Sequence, residues 1–108
     1  MPITFRILPE RGLVVVRFEG FVTIGEIRDA SAGYVADKDF ALGQKQLVNL
    51  SEITGYDIDY VDFMNLQAGK AERLALAGVQ SLVVYIAPTP ISQEIGAMFI
   101  RTWDGVDA

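Results

Sequence analysis

The chain has 108 residues, 51% hydrophobic and 21% charged, which suits one compact domain over residues 1–108 and excludes a disordered chain. Cysteine and histidine are both absent, so disulfides, thiol chemistry, Ser-His or Cys-His pairs and the commonest zinc ligands are excluded. A net charge of −5 and a pI near 4.5 argue against nucleic acid or an anionic membrane surface as partner.

The first segment alternates. Ile3, Phe5 and Ile7 fall on one side and Thr4 and Arg6 on the other, the period of a half-buried strand. Pro9, Glu10, Arg11 and Gly12 supply a turn. A second strand over 13–21 then places Val14, Val16 and Phe18 opposite Arg17 and Glu19, making an antiparallel hairpin. Thr23 and Glu26 have the spacing of a capping box, and Ile24, Ile27, Ser31, Tyr34 and Val35 follow at helical intervals.

After a connector over 40–46, residues 47–50 read as a short strand covered on both faces. Residues 51–56 read as a polar turn containing Gly55, and a long helix is predicted over 59–77, ended by Gly78. Tyr60, Met64, Ala68, Ala71 and Ala75 line one flank of that helix, with Phe63 and Leu74 beside them. Residues 82–87 read as another buried strand, so Val84→Asp is expected to unfold the protein. Thr89 and Pro90 then open a last helix. The order ββαβαβα predicts an α/β fold with a mixed sheet of about four strands: an antiparallel hairpin beside parallel pairs with right-handed crossovers.

Strand-to-helix junctions are where α/β domains place recognition surfaces. Gly55, Tyr56, Asp57, Asp59, Tyr60 and Asp62 are therefore the candidate partner-binding surface. The three aspartates also suit a plain structural role, capping amides and complementing the positive end of a helix dipole. Their spacing lacks the ligand pattern of a calcium loop, so no metal site is expected. With no histidine to act as base, Ser51 and Thr54 read as turn hydroxyls rather than nucleophiles. Tyr56 and Tyr60 suit either contact anchors or core rings with a wet hydroxyl. In the last helix Met98, Phe99, Ile100 and Trp103 point in several directions, more than one core-facing stripe needs. They form a candidate dimer or apolar-ligand surface.

The longest apolar runs fall far short of the roughly 20 residues that span a bilayer, and the N-terminus lacks the apolar core of a secretory signal. No integral membrane segment is expected, and a cytoplasmic location follows by default.

The motif Leu47-Val48-Asn49-Leu50-Ser51, with Asp57 after the turn, resembles the STAS domain of anti-sigma-factor antagonists. It is more similar still to the small bacterial SpoIIAA-like proteins, whose strand ends hydrophobic-hydrophobic-Asp-Leu-Ser before an Asp-Ser-x-Gly helix start. Residues 12–24 resemble that family's glycine-marked second strand leading into its first helix. The resemblance implies a SpoIIAA-like fold and a regulatory, protein-binding role. Ile58 stands where the family carries its phosphorylated serine and Tyr60 where it carries the motif glycine, so the serine switch has no acceptor here. The family also carries a further C-terminal element, which implies either a naturally short tail here or cover from another subunit.

The expectation is thus a non-catalytic interaction or regulatory module, without cofactor, that binds a protein partner and forms a homodimer. The alternative is a carrier that holds a small apolar or lipid-like ligand between the last helix and the sheet. A metal-dependent enzyme using Asp57 and Asp59 ranks third.

Overall fold

The computed structural model describes residues 2–78 and 82–105, the last four of these as backbone only. Four strands and three helices alternate: β1 (Ile3–Leu8), β2 (Leu13–Thr23), α1 (Ile24–Ala36), β3 (Lys45–Asp57), α2 (Tyr60–Ala77), β4 (Val83–Ile86) and α3 (Pro90–Gly105). A single 3-10 turn, Pro9–Arg11, joins β1 to β2, and Gly12 closes it at φ 58°, where a side chain would be strained. The sheet runs in the order β1-β2-β3-β4, antiparallel in the hairpin and parallel across the other two pairs. The molecule is an α/β domain with a mixed four-stranded sheet. Among the described residues no helix is long and apolar enough to cross a membrane.

The helix boundaries follow from local chemistry. Thr23 Oγ1 accepts from the Glu26 amide while Glu26 reaches back to the Thr23 amide, completing the capping box at the start of α1. Asp59 caps α2 through the Asp62 amide at 3.0 Å, and Gly78 ends it in the left-handed region at φ 69°. Thr89 caps α3 by accepting from the Ser92 amide at 3.2 Å, just before Pro90.

Two sequence expectations about β3 need correction. The strand covers Lys45–Asp57, so the segment taken as a glycine turn is extended and paired with β2 as far as Thr23↔Asp57. Its broken alternation comes from two register shifts, each placing one more residue on β3 than on β2. The first falls at Leu50 and Ser51, where Asn49 Oδ1 accepts from both the Ser51 amide and its hydroxyl. The bulges let Leu50 and Ile53, three apart, both face the core.

β3 is also covered on one face only. All three helices pack on the same side, where Phe18, Val48, Leu50, Phe63, Ile95 and Phe99 form one cluster. On the other side Val84 and Ile86 remain 47% and 40% exposed, in line with the alternating burial of β4. Val84→Asp therefore places its charge in water.

Candidate functional site

The covered face of the sheet is incompletely filled. A cavity of about 290 Å3 lies between β1, β2 and β3, the inner sides of α1 and α2, and the connector after α1. Its walls are mainly apolar, with Phe5, Val14, Val16, Phe18 and Val48 from the sheet and Phe63 and Phe99 from the helices. Val35 and Leu42 line it too, and each is nearly half exposed, which places the mouth between the end of α1 and the connector.

The connector is held as a wall rather than left as a loose loop. The Asp39 amide donates to Asp37 Oδ1 at 2.9 Å, and the Phe40 ring meets Tyr34 edge-on at 4.8 Å between centroids. Gln44, almost fully buried, ties the two segments together. Its Nε2 donates to the Asp39 carbonyl at 3.1 Å and its Oε1 accepts from the Tyr34 hydroxyl at 2.5 Å. Burial pushes the Tyr34 phenol above its ordinary value, so it remains a neutral donor.

One stripe of α2 supplies the polar end. Gln67 and Lys70 fall on the cavity side with Phe63 and Leu74, at the three- and four-residue spacing of a single helical face, and Arg73 stands beside them. Gln67 is only 3% exposed, and its Oε1 has no hydrogen-bond partner among the described residues. Lys70 is partly buried. Desolvation pulls its ammonium down from 10.5 to about 8, and the nearby positive charge of Arg73 acts in the same direction. Among the described residues neither cation forms a salt bridge. A buried orphan acceptor and an unpaired, desolvated amine in one cavity are costly for stability alone, and such costs concentrate at binding sites.

None of these polar residues stood out in the sequence. The flank predicted for α2 is Tyr60, Met64, Ala68, Ala71 and Ala75, with Phe63 and Leu74 beside it. Ala71 and Phe63 are buried, but Tyr60, Ala68 and Ala75 are exposed, so the inward stripe is rotated toward Phe63, Gln67, Lys70 and Leu74. The available signal was Gln67 and Lys70 at helical spacing between Phe63 and Leu74, polar side chains on what must be the inner face.

The predicted partner surface sits elsewhere, at the end of β3 and the start of α2. Gly55 is a strand residue, and a Cβ added there would come within 3.0 Å of the Phe21 ring. Tyr56 is half-buried and donates from its hydroxyl to Glu94 Oε1 at 2.6 Å, which raises its pKa by favouring the neutral phenol. Asp57 is exposed at the strand end. Asp59 is the α2 cap, and Asp62 reaches Arg28 at 4.0 Å, an exposed pair of little energetic weight. Ile58, at the position of the family's serine, is half-buried against the core. Tyr60 is 40% exposed. Among the described residues no three acidic side chains converge as metal ligands would.

The last helix divides its apolar residues. Met98 and Phe99 belong to the core, and Phe99 also lines the cavity. Ile100 is half exposed, and the side chain of Trp103 lies outside the described residues. Ile95, Met98 and Phe99 are covered within the single chain, and a Cβ built on Gly96 would meet Leu50 Cδ1 at 3.6 Å, so α3 packs closely on the sheet at these residues. The cavity lies on the α1 and α2 side, with Phe99 of α3 in its wall. No protein-family model matches the chain, and no curated protein shows significant similarity to it.

Proposed function

We propose that this protein is a non-catalytic binding module that carries a small apolar or lipid-like molecule in the cavity between the sheet and helices α1 and α2. One observation carries the reading: an apolar cavity of about 290 Å3 holds a buried glutamine acceptor, Gln67 Oε1, that no described residue satisfies. Ligand sites are built this way, with apolar walls for affinity and a few convergent polar groups for orientation. The ββαβαβα order and the mixed sheet are compatible with a SpoIIAA-like arrangement.

Ser31, on α1, gives access to a direct test because it lines the cavity and is half-buried. Native mass spectrometry of gently purified protein should show a bound small molecule. Ser31→Phe, which puts a ring into the space, should lose that mass and octan-1-ol binding while melting within a few degrees of the wild type. Ligand-free wild-type protein that also ignores octan-1-ol removes the reading.

A second reading has its own support. Phe21 and Val61, 58% and 63% exposed, stand with Tyr60 and Asp57 at one end of the sheet, and apolar residues ringed by charge suit a protein partner or a second copy of the chain. A dimer in light scattering that dissociates on Asp57→Lys would favour it. A monomer at micromolar concentration counts against it.

A further inference from the structure

We propose that the carried molecule has a carboxylate head, held at the Gln67–Lys70–Arg73 end of the cavity, and a single short apolar tail lying along Phe5, Val16 and Phe18. This rests on the carrier reading above and narrows it to a chemical class.

The charge of the walls is the first argument. In a chain of net charge −5, the cavity lining among the described residues contains Lys70 and Arg73 and no aspartate or glutamate. Two like charges on adjoining turns of α2 repel one another, and Lys70 is desolvated as well. An anion at this end relieves both penalties and supplies an acceptor that neither cation finds among the described residues. Gln67 completes the set, since a side-chain amide can turn either its oxygen or its NH2 toward a ligand. With the NH2 turned inward, it donates to one carboxylate oxygen. With the oxygen inward, it accepts from a water or hydroxyl beside the head.

Helix direction and volume narrow the head further. Lys70 and Arg73 lie in the C-terminal half of α2, and Tyr34 and Val35 near the C-terminal end of α1, so the mouth faces the negative ends of two helix dipoles. That field opposes any anion, and a phosphate dianion about twice as strongly as a singly charged carboxylate. A volume of about 290 Å3 sits at the low end of ligand sites, roughly 300–1,000 Å3, and leaves no room for a two-chain lipid.

Calorimetric titration of ligand-stripped full-length protein with octanoate, octan-1-ol and octyl phosphate tests the assignment. Octanoate should bind at least roughly tenfold more tightly than octan-1-ol, as expected for charge-assisted hydrogen bonds. Lys70→Met, checked for folding by its melting curve, should bring the two affinities together by weakening octanoate alone. Arg73→Met, which changes an exposed side chain, should do the same in part. Equal affinities for octanoate and octan-1-ol in the wild type overturn the carboxylate head while leaving the carrier reading intact. Tighter octyl phosphate overturns it in favour of a phosphate head. If Lys70→Met weakens octan-1-ol as much as octanoate, the head does not sit there. If folded protein binds none of the three, both the inference and the carrier reading fail.

Discussion

Leu50→Asp should abolish folding, whereas Val84→Asp should leave a folded domain that melts within a few degrees of the wild type. Leu50 and Val84 both stand in sheet strands and look equally apolar in the sequence. Leu50 is fully buried beneath α3, close enough that a Cβ built on Gly96 meets its Cδ1 at 3.6 Å. Truncation of such a residue to alanine costs about 2–5 kcal/mol, and an unpaired carboxylate there costs more than the total stability of many small domains. Val84 lies on the open side of the sheet at 47% exposure. Its replacement loses some β propensity and little burial, a cost of about 1 kcal/mol or less. Thermal melts followed by circular dichroism check both. Cooperative melting of Leu50→Asp, or unfolding of Val84→Asp, would contradict the single-sided sheet.

Lys70→Met should make the ligand-free protein more stable at neutral pH, the reverse of most core substitutions. Its folded-state pKa of about 8 lies below the ordinary 10.5. Below pH 8 the amine is charged in both states, and the folded state bears the full penalty of desolvating it. Between about 8 and 10.5 the folded protein releases this proton while the unfolded chain keeps it, so the unfolded state binds more protons and stability rises with pH. Above 10.5 both are neutral and the penalty is gone. Among the described residues the other titratable groups lining the cavity are the guanidinium of Arg73 and the phenols of Tyr34 and Tyr85. Because Lys70 is only partly buried, solvent screens some of the penalty, and we expect a gain of roughly 1–2 kcal/mol for Lys70→Met at pH 7. Urea unfolding at pH 7 and pH 9.5 should show that advantage shrinking at the higher pH. A Lys70→Met variant less stable than the wild type at pH 7 would mean that the ammonium has a partner.

The element order was legible because each boundary has a local cause. Thr23 and Glu26, Asp59, Gly78, and Thr89 with Pro90 mark helix ends by capping chemistry that acts within a few residues. β3 was harder, because its bulges break the two-residue period and made residues 51–56 look like a turn. Whether a strand is covered once or twice depends on where helices dock, which a four-residue apolar run such as β4 cannot express. The acidic corner stood out because unlike residues crowd a short segment, yet Asp59 there proves to be a cap. The cavity did not stand out, since its walls come from β1 through α3 and its polar end is three residues of one helix, Gln67, Lys70 and Arg73. Gln67 and Lys70 break the apolar pattern of that face, and such local inconsistency is what a binding site leaves in a sequence.

Solution NMR of isotope-labelled protein titrated with octan-1-ol tests the central claim most directly, because it reports which residues meet an apolar guest whatever its head group. The account predicts saturable shifts at Tyr34, Gln44 and the Gln67 side-chain amide, with residues 55–62 unchanged. Shifts confined to residues 55–62, or none at all in a folded protein, would contradict it.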